Sequence, residues 1–342
     1  LQAVSEWLII YLFKRNSKNM KKLRFVPTLL ILGSIIGLGG CKKEIAQIDN
    51  EPNVAAISSV TSDLAEATGT EFGAGIQGGS ANQKISVYNK FGVKYVRAMV
   101  QLKNFNNYGI STEKDLTQQG FKVVLNINWA SPGGRGGKRN PVPFPTDMDQ
   151  YKQQLIKLFN TYKPEIAVIE NEPTTDLFHT GPIENYITEL ETAVEVCKQF
   201  NVKVADGAIH IPYIEQVMNG NAGSGKALEV KKLIAAYRTI DLDYVNIHTQ
   251  GPTDKDPDTY EPGLLKKIAD YLMNETGKPV ISNEWTVHNA SSALVKNMVS
   301  EFRNADFKVA MVRSAYSPSG AVPLHKGTNL LPNGVTYSSE IK

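Results

Sequence analysis

From residue 71 onward, short apolar runs alternate with longer stretches in which apolar positions recur every three or four residues. The short runs, at 71–76, 93–100, 122–128, 166–170, 203–209, 244–248, 279–283 and 307–314, have the length and composition of buried strands. Between them, 83–91, 112–119, 147–162, 183–200, 226–237, 264–275 and 293–303 carry the helical period. Gly120, Asn201 and Gly277 fall where helix ends need a left-handed residue. Eight strands separated by helices predict an α/β fold, and a single closed (β/α)8 TIM barrel over an open doubly wound sheet. Gly73 and Gly75 lie inside the first strand and not in a turn after it, and no G-x-x-x-x-G-K-[ST] occurs, which argues against a nucleotide fold.

Ahead of this pattern the chain changes character. Met20 opens a stretch with Lys21, Lys22 and Arg24, then an apolar core from Phe25 to Leu38, then Gly39-Gly40-Cys41. These are the three parts of an export signal, with an apolar core shorter than the roughly 20 residues a membrane-spanning helix needs. Leu38-Gly39-Gly40-Cys41 also resembles the lipobox of bacterial lipoproteins. That resemblance implies a signal peptide at 20–40, lipid on Cys41 and an upstream mis-start at 1–19. Residues 41–66, rich in Ala, Ser, Thr and charge without periodicity, read as a flexible tether to a domain at 67–342. The expected location is the cell envelope, with the lipid in the outer membrane. The charged Lys42-Lys43-Glu44 after the lipid site resembles lipoproteins displayed at the surface.

Setting the leader aside reverses the sign of the charge. Residues 1–40 hold six of the 37 Lys and Arg but one of the 34 Asp and Glu, which leaves 31 bases, 33 acids and a net −2 in place of +3. The basicity belongs to the export signal, and no nucleic-acid footprint remains. With Cys41 lipidated, Cys197 is left alone and no intramolecular disulfide forms; its spacing from Ile183, Tyr186, Ile187, Leu190 and Val194 predicts a buried structural thiol.

In such a barrel the chemistry sits at the C-terminal ends of the strands. Asn171 and Glu172 end the fourth predicted strand and Glu284 ends the seventh, each after an apolar run. Arg97 lies on the second, Asn128 and Trp129 end the third, His210 follows the fifth, His248 ends the sixth and Tyr316 follows the eighth. Two carboxyls from facing strand ends suit glycosidic cleavage with retention, which needs them about 5–5.5 Å apart, one as proton donor and one ionised as nucleophile. An ionised Glu284 is expected to raise the pKa of Glu172, and Arg97 to lower that of Glu284. Trp129 and Trp285 offer aromatic faces for stacking on sugar C–H groups, although Trp285 equally suits packing.

The order Arg97, Asn171-Glu172-Pro173, His248 and Asn283-Glu284-Trp285 resembles clan A of the retaining β-glycosidases over roughly residues 71–342. The resemblance implies Glu172 as acid/base, Glu284 as nucleophile, Asn171 on the sugar 2-hydroxyl, Arg97 keeping the nucleophile ionised and His248 in the strand-six position beside the nucleophile. It further implies a carbohydrate substrate, no cofactor, no metal and a monomer held to the membrane only by lipid. Residues 327–334 are similar to the hairpin before the last helix of such enzymes. The chain departs from the clan where Ala315-Tyr316-Ser317 replaces a frequent tryptophan and where Ile169-Glu170 precedes the acid.

Other features have plainer readings. The Gly-rich basic segment 131–139 lacks a phosphate-loop ending and reads as a loop over the cleft. Asp254, Asp256 and Asp258 begin like a calcium loop, but Leu265 stands where the closing glutamate belongs. Glu170 competes with Glu172 for the acid role. Two alternatives to an enzyme stay open: a surface glycan-binding lipoprotein on the same barrel, and an interaction lipoprotein whose two glutamates lie far apart.

Overall fold

The computed structural model describes residues 69–132, 140–251, 261–287, 291–314 and 323–342, all within one compact unit. The signal, the lipidation site Cys41, the tether, residues 133–139 of the Gly-rich segment, Asp254, Asp256, Asp258 and Tyr316 lie outside the described residues.

Nine parallel strands form a curled sheet: β1 (Glu71–Ile76), β2 (Tyr95–Gln101), β3 (Lys122–Asn128), β4 (Ile166–Ile169), β5 (Lys203–Ala205), β6 (Ile209–His210), β7 (Val245–Gly251), β8 (Val280–Val287) and β9 (Val309–Ser314). Their order is β5-β4-β3-β2-β1-β9-β8-β7-β6. The two edge strands are therefore consecutive in the chain, parted by Asp206, Gly207 and Ala208 alone, and Ala205 bridges Tyr244 just before β7. The stretch 203–209, expected as one strand, is one strand broken in the middle, and the edges of the sheet meet at the break.

Nine helices flank the sheet among the described residues: α1 (Ala81–Phe91), α2 (Ser111–Gln118), α3 (Met148–Thr161), α4 (Ile183–Gln199), α5 (Ile211–Met218), α6 (Gly225–Tyr237), α7 (Leu264–Thr276), α8 (Ser292–Asn304) and α9 (Pro332–Glu340). Seven of these match the helices expected from periodicity, and Gly120, Asn201 and Gly277 take the left-handed conformation at their ends. Of the other two, α9 stands where the resemblance placed a last helix, and α5 is hidden from the pattern because its Pro212 reads as a breaker; at the first turn a proline gives up no helical hydrogen bond. A short antiparallel pair, His325–Lys326 with Asn329–Leu330, precedes α9 where the hairpin was expected. No helix among the described residues is long and apolar enough to cross a membrane.

Alternation along each strand sorts the core into two layers. Val96, Val100, Leu125 and Ile127 face the helices, where they pack with Leu155, Leu158 and Phe159 of α3, each fully removed from water and worth about 1.5–3 kcal/mol of burial. The opposite parity places Tyr95, Val124, Ile166, Val168, Ala205, Ile281 and Met311 in an inner apolar plug. Further along the same inward rows come Arg97, Asn126 and Arg313, so the plug floors a polar mouth at the C-terminal ends of the strands. Gly75 belongs to this arrangement, since a side chain there would press within 3.2 Å of the Arg97 Cβ. Cys197 is fully buried on α4, and burial raises its thiol pKa, as a structural thiol requires.

Candidate active site

Two irregularities in the sheet aim the two glutamates. On β8, Ile281 pairs with Asn246 and Glu284 with His248, so three steps along β8 match two along β7. This bulge lets Asn283 and Glu284, neighbours in sequence, both reach into the mouth. After β4 the backbone turns left-handed at Glu170 (φ 64°) and Glu172 (φ 51°). The turn is clamped from the break in the fifth strand: Glu172 N–H donates to Gly207 O at 2.7 Å, and Gly207 N–H donates to Tyr186 Oη at 2.7 Å. Only glycine fits at 207, because a Cβ there would stand 2.5 Å from Ile169 O.

Glu284 lies between two arginines. Arg97 Nη1 donates to Oε2, and Arg313 Nη1 donates to Oε1 at 2.7 Å. Arg97 also donates from Nη2 to Asn171 Oδ1 and from Nε to Asn126 Oδ1, each at 2.9 Å. One guanidinium thus ties the β8 glutamate to the residue beside Glu172. Burial works against the charge of Glu284, but Arg97, with His248 and Arg313 behind it, holds the carboxyl down at about 2. Arg313 escaped the sequence reading; its inward position on the last strand, two residues after the plug residue Met311, was the available signal.

Glu172 lies between two imidazoles, His248 Nδ1 at 2.7 Å from Oε1 and His210 Nε2 at 3.2 Å from Oε2. Burial again opposes the charge, yet the hydrogen bonds and charges of His210 and His248 outweigh it and hold the carboxyl below the usual carboxylate range. The expected rise in the Glu172 pKa is therefore reversed. His248 stands beside Glu284 in register, as expected, but its hydrogen bond goes to Glu172.

Hydrogen-bond logic fixes which imidazole nitrogen of His248 carries a proton. Arg97 Nε can only donate, so Asn126 presents Oδ1 to it and also accepts there from Asn283 Nδ2 at 2.7 Å. Asn246 Oδ1 accepts the backbone N–H of Asn283, and its Nδ2 donates to Asn283 Oδ1 at 2.9 Å. Asn283 Oδ1 is thereby an acceptor, and His248 Nε2, 2.7 Å away, donates to it. Asn126 and Asn246 were not singled out from sequence; asparagines at inward positions of otherwise apolar strands were their only mark.

The remaining candidates separate clearly. Asn128 is buried at the end of β3 with its Oδ1 unpartnered, and His210 is partly exposed at the start of α5. The two tryptophans correct the stacking expectation. Trp285 follows Glu284 onto the helix-facing side, where it is fully buried against Phe302 and Tyr337. Trp129 is 7% exposed and packs beside Tyr151. Neither offers an open ring to a sugar. Met99, on the inward row of β2 beyond Arg97, is the exposed apolar side chain there.

Glu170 turns away from the mouth: it is 1% exposed, accepts the Trp129 N–H at 2.5 Å and lies close enough to the buried Glu189 of α4 for each charge to act on the other. Burial pushes Glu170 up to about 8, and burial followed by the charge of Glu170 pushes Glu189 well above the carboxylate range. A carboxyl whose folded pKa exceeds its unfolded value contributes stability below the unfolded pKa, near 4.3, and loses it as pH rises through the folded pKa. The melting temperature is therefore expected to fall between about pH 5 and pH 8, and Glu189→Gln to flatten that slope. Parallel slopes for the two proteins in a pH series of thermal melts would rule out this pair as the cause.

No family model matches the chain, and no curated protein does. Solved structures share its fold. A GH128 (subgroup I) endo-β-1,3-glucanase from Amycolatopsis mediterranei, in complex with laminaritriose, aligns over 80% of this chain and 100% of its own at a TM-score of 0.51 and 13% identity. An endoglucanase of Pseudomonas stutzeri aligns over 80% and 94% at 0.53 and 12%, and a GH128 (subgroup II) endo-β-1,3-glucanase from Sorangium cellulosum over 79% and 98% at 0.52 and 12%.

Proposed function

We propose that this chain is a retaining β-glycosidase on a (β/α)8 barrel of the clan A type, acting on a β-linked glucan at the cell envelope. The observation that carries the reading is Arg97, which bonds Glu284 with one nitrogen and Asn171, the neighbour of Glu172 in the chain, with the next, and so ties the segments that carry the two candidate carboxylates to one polar mouth. Glu284, ionised between two arginines, attacks the anomeric carbon. Glu172 protonates the departing oxygen, and once the glycosyl-enzyme has formed it takes a proton from the incoming water. With His248 protonated at Nε2, the 2.7 Å line between its Nδ1 and Glu172 Oε1 is the place where the acid proton is held before transfer. Asn171, anchored by Arg97 through Oδ1, keeps its Nδ2 for the sugar 2-hydroxyl. The activities of the structural neighbours, an endoglucanase and endo-β-1,3-glucanases, support a β-glucan as the substrate.

The experiment is reducing-end release from β-1,3-glucan, β-1,4-glucan, β-mannan and β-xylan, with the anomer of the first product followed by NMR. Release from a β-glucan with the β-anomer appearing first is expected. A folded protein that releases nothing from any of the four, or an α-anomer appearing first, overturns the reading.

A further inference from the structure

We propose that the mouth also binds a zinc-class divalent ion through Glu172, His210 and His248, and that this ion switches the enzyme off. Each of the three residues offers one donor atom, a carboxylate oxygen or an imidazole nitrogen, and all of these atoms lie within 4.8 Å of one another. Two imidazoles and one glutamate are a donor set that zinc takes in hydrolases; at metal–ligand distances near 2.0–2.2 Å the donor atoms of a tetrahedral site stand roughly 3.4 Å apart. The 3.2 Å approach of His210 to Glu172 is close to that spacing, and the 2.7 Å approach of His248 has to open by less than an ångström to admit the ion.

A second, independent observation is the asparagine relay. A histidine bound to a metal through one nitrogen almost always donates from the other to a fixed acceptor, which sets the tautomer and the ring plane. His248 has that support in place: Nε2–H is committed to Asn283 Oδ1, itself held by Asn246, and Nδ1 is left as the nitrogen that faces Glu172. The buried His210 Nε2 faces Glu172 Oε2 at 3.2 Å, so an ion between them would take both atoms as ligands. The nearby carboxylate of Glu284 adds negative charge, offset by Arg97 and Arg313.

The ion would occupy the atoms that hold and deliver the acid proton, so binding and catalysis exclude each other. The inhibition rests on the glycosidase reading; the binding does not. The test is calorimetric titration of the untagged full chain with zinc chloride, repeated with magnesium chloride. One zinc site of micromolar order is expected, with no magnesium binding, since magnesium prefers all-oxygen sites. His210→Ala and His248→Ala should each weaken zinc at least about tenfold, and His325→Ala, outside the cluster, should not. His210 is partly exposed, so its variant carries the test if the His248 variant fails to fold. Cobalt(II) supplies a second readout, with visible absorption of a low-coordinate site in the wild type that is lost in His210→Ala. Zinc titration curves that are flat, or the same in wild type and His210→Ala, overturn the site. If zinc binds but no polysaccharide is cleaved, the site stands and the glycosidase reading falls. If the glucan is cleaved and zinc neither binds nor inhibits, the reverse holds.

Discussion

Glu284→Gln is expected to lower kcat on the responsive β-glucan on the order of 10³-fold or more, with little change in fold or in KM. The substitution keeps the size of the side chain and leaves an amide oxygen for Arg97 or Arg313, but removes the charge that both guanidiniums hold and the oxygen that would form the covalent bond. A barrier increase of about 4 kcal/mol corresponds to that loss. The companion experiment assigns roles. With an activated aryl β-glycoside, Glu284→Gly plus azide is expected to yield the α-glycosyl azide, because azide attacks directly from the side the carboxylate left. Glu172→Ala plus azide is expected to yield the β-glycosyl azide, because the covalent intermediate still forms and azide replaces the water that Glu172 can no longer activate. The same product from both variants, or full activity in Glu284→Gln, would remove Glu284 from the nucleophile's place.

Much of this arrangement was legible from residue order, because strand parity is. A period of two along 95–101 puts Arg97 on the same side as Tyr95, and a period of two along β9 puts Arg313 on the side of Met311. The same rule places Trp285 opposite Glu284, so its burial against α8 and α9 follows from alternation alone. What parity misleads about is the bulge. Strict alternation would send Asn283 and Glu284 to opposite faces, and only the extra residue of β8 against β7 brings both inward. The reversal at Glu172 was hidden for a related reason. His210 reaches the mouth because the fifth strand breaks at Asp206–Ala208 and restarts for two residues, and that break depends on Gly207 passing close under Ile169, a contact between segments far apart in sequence. The electrostatic expectation considered Glu284 alone as the neighbour of Glu172 and lacked the two imidazoles that dominate.

Arg97→Met is expected to weaken the fold by about 3 kcal/mol at pH 7 and to move the acidic limb of kcat/KM upward by about one pH unit or more. Methionine fills most of the space of the arginine stem but leaves Glu284 with Arg313 alone and Asn171 without its donor. The direction follows from the sign of the shift. Glu284 sits at about 2 in the folded protein, below its unfolded value near 4.3, so its ionisation stabilises the fold above the unfolded pKa, and this contribution is lost as pH falls through about 2. With Arg97 gone, burial is opposed by less positive charge, the folded pKa rises, and the stabilising difference shrinks. Wild type and variant should therefore differ most near pH 7 and converge as pH drops toward 3, where the unfolded chain has already taken up the proton. Urea denaturation at pH 7 and pH 3, with pH–rate profiles of both proteins, measures the two effects. An equal stability loss at both pH values, together with an unmoved acidic limb, would mean that Arg97 acts through packing and not through the charge of Glu284.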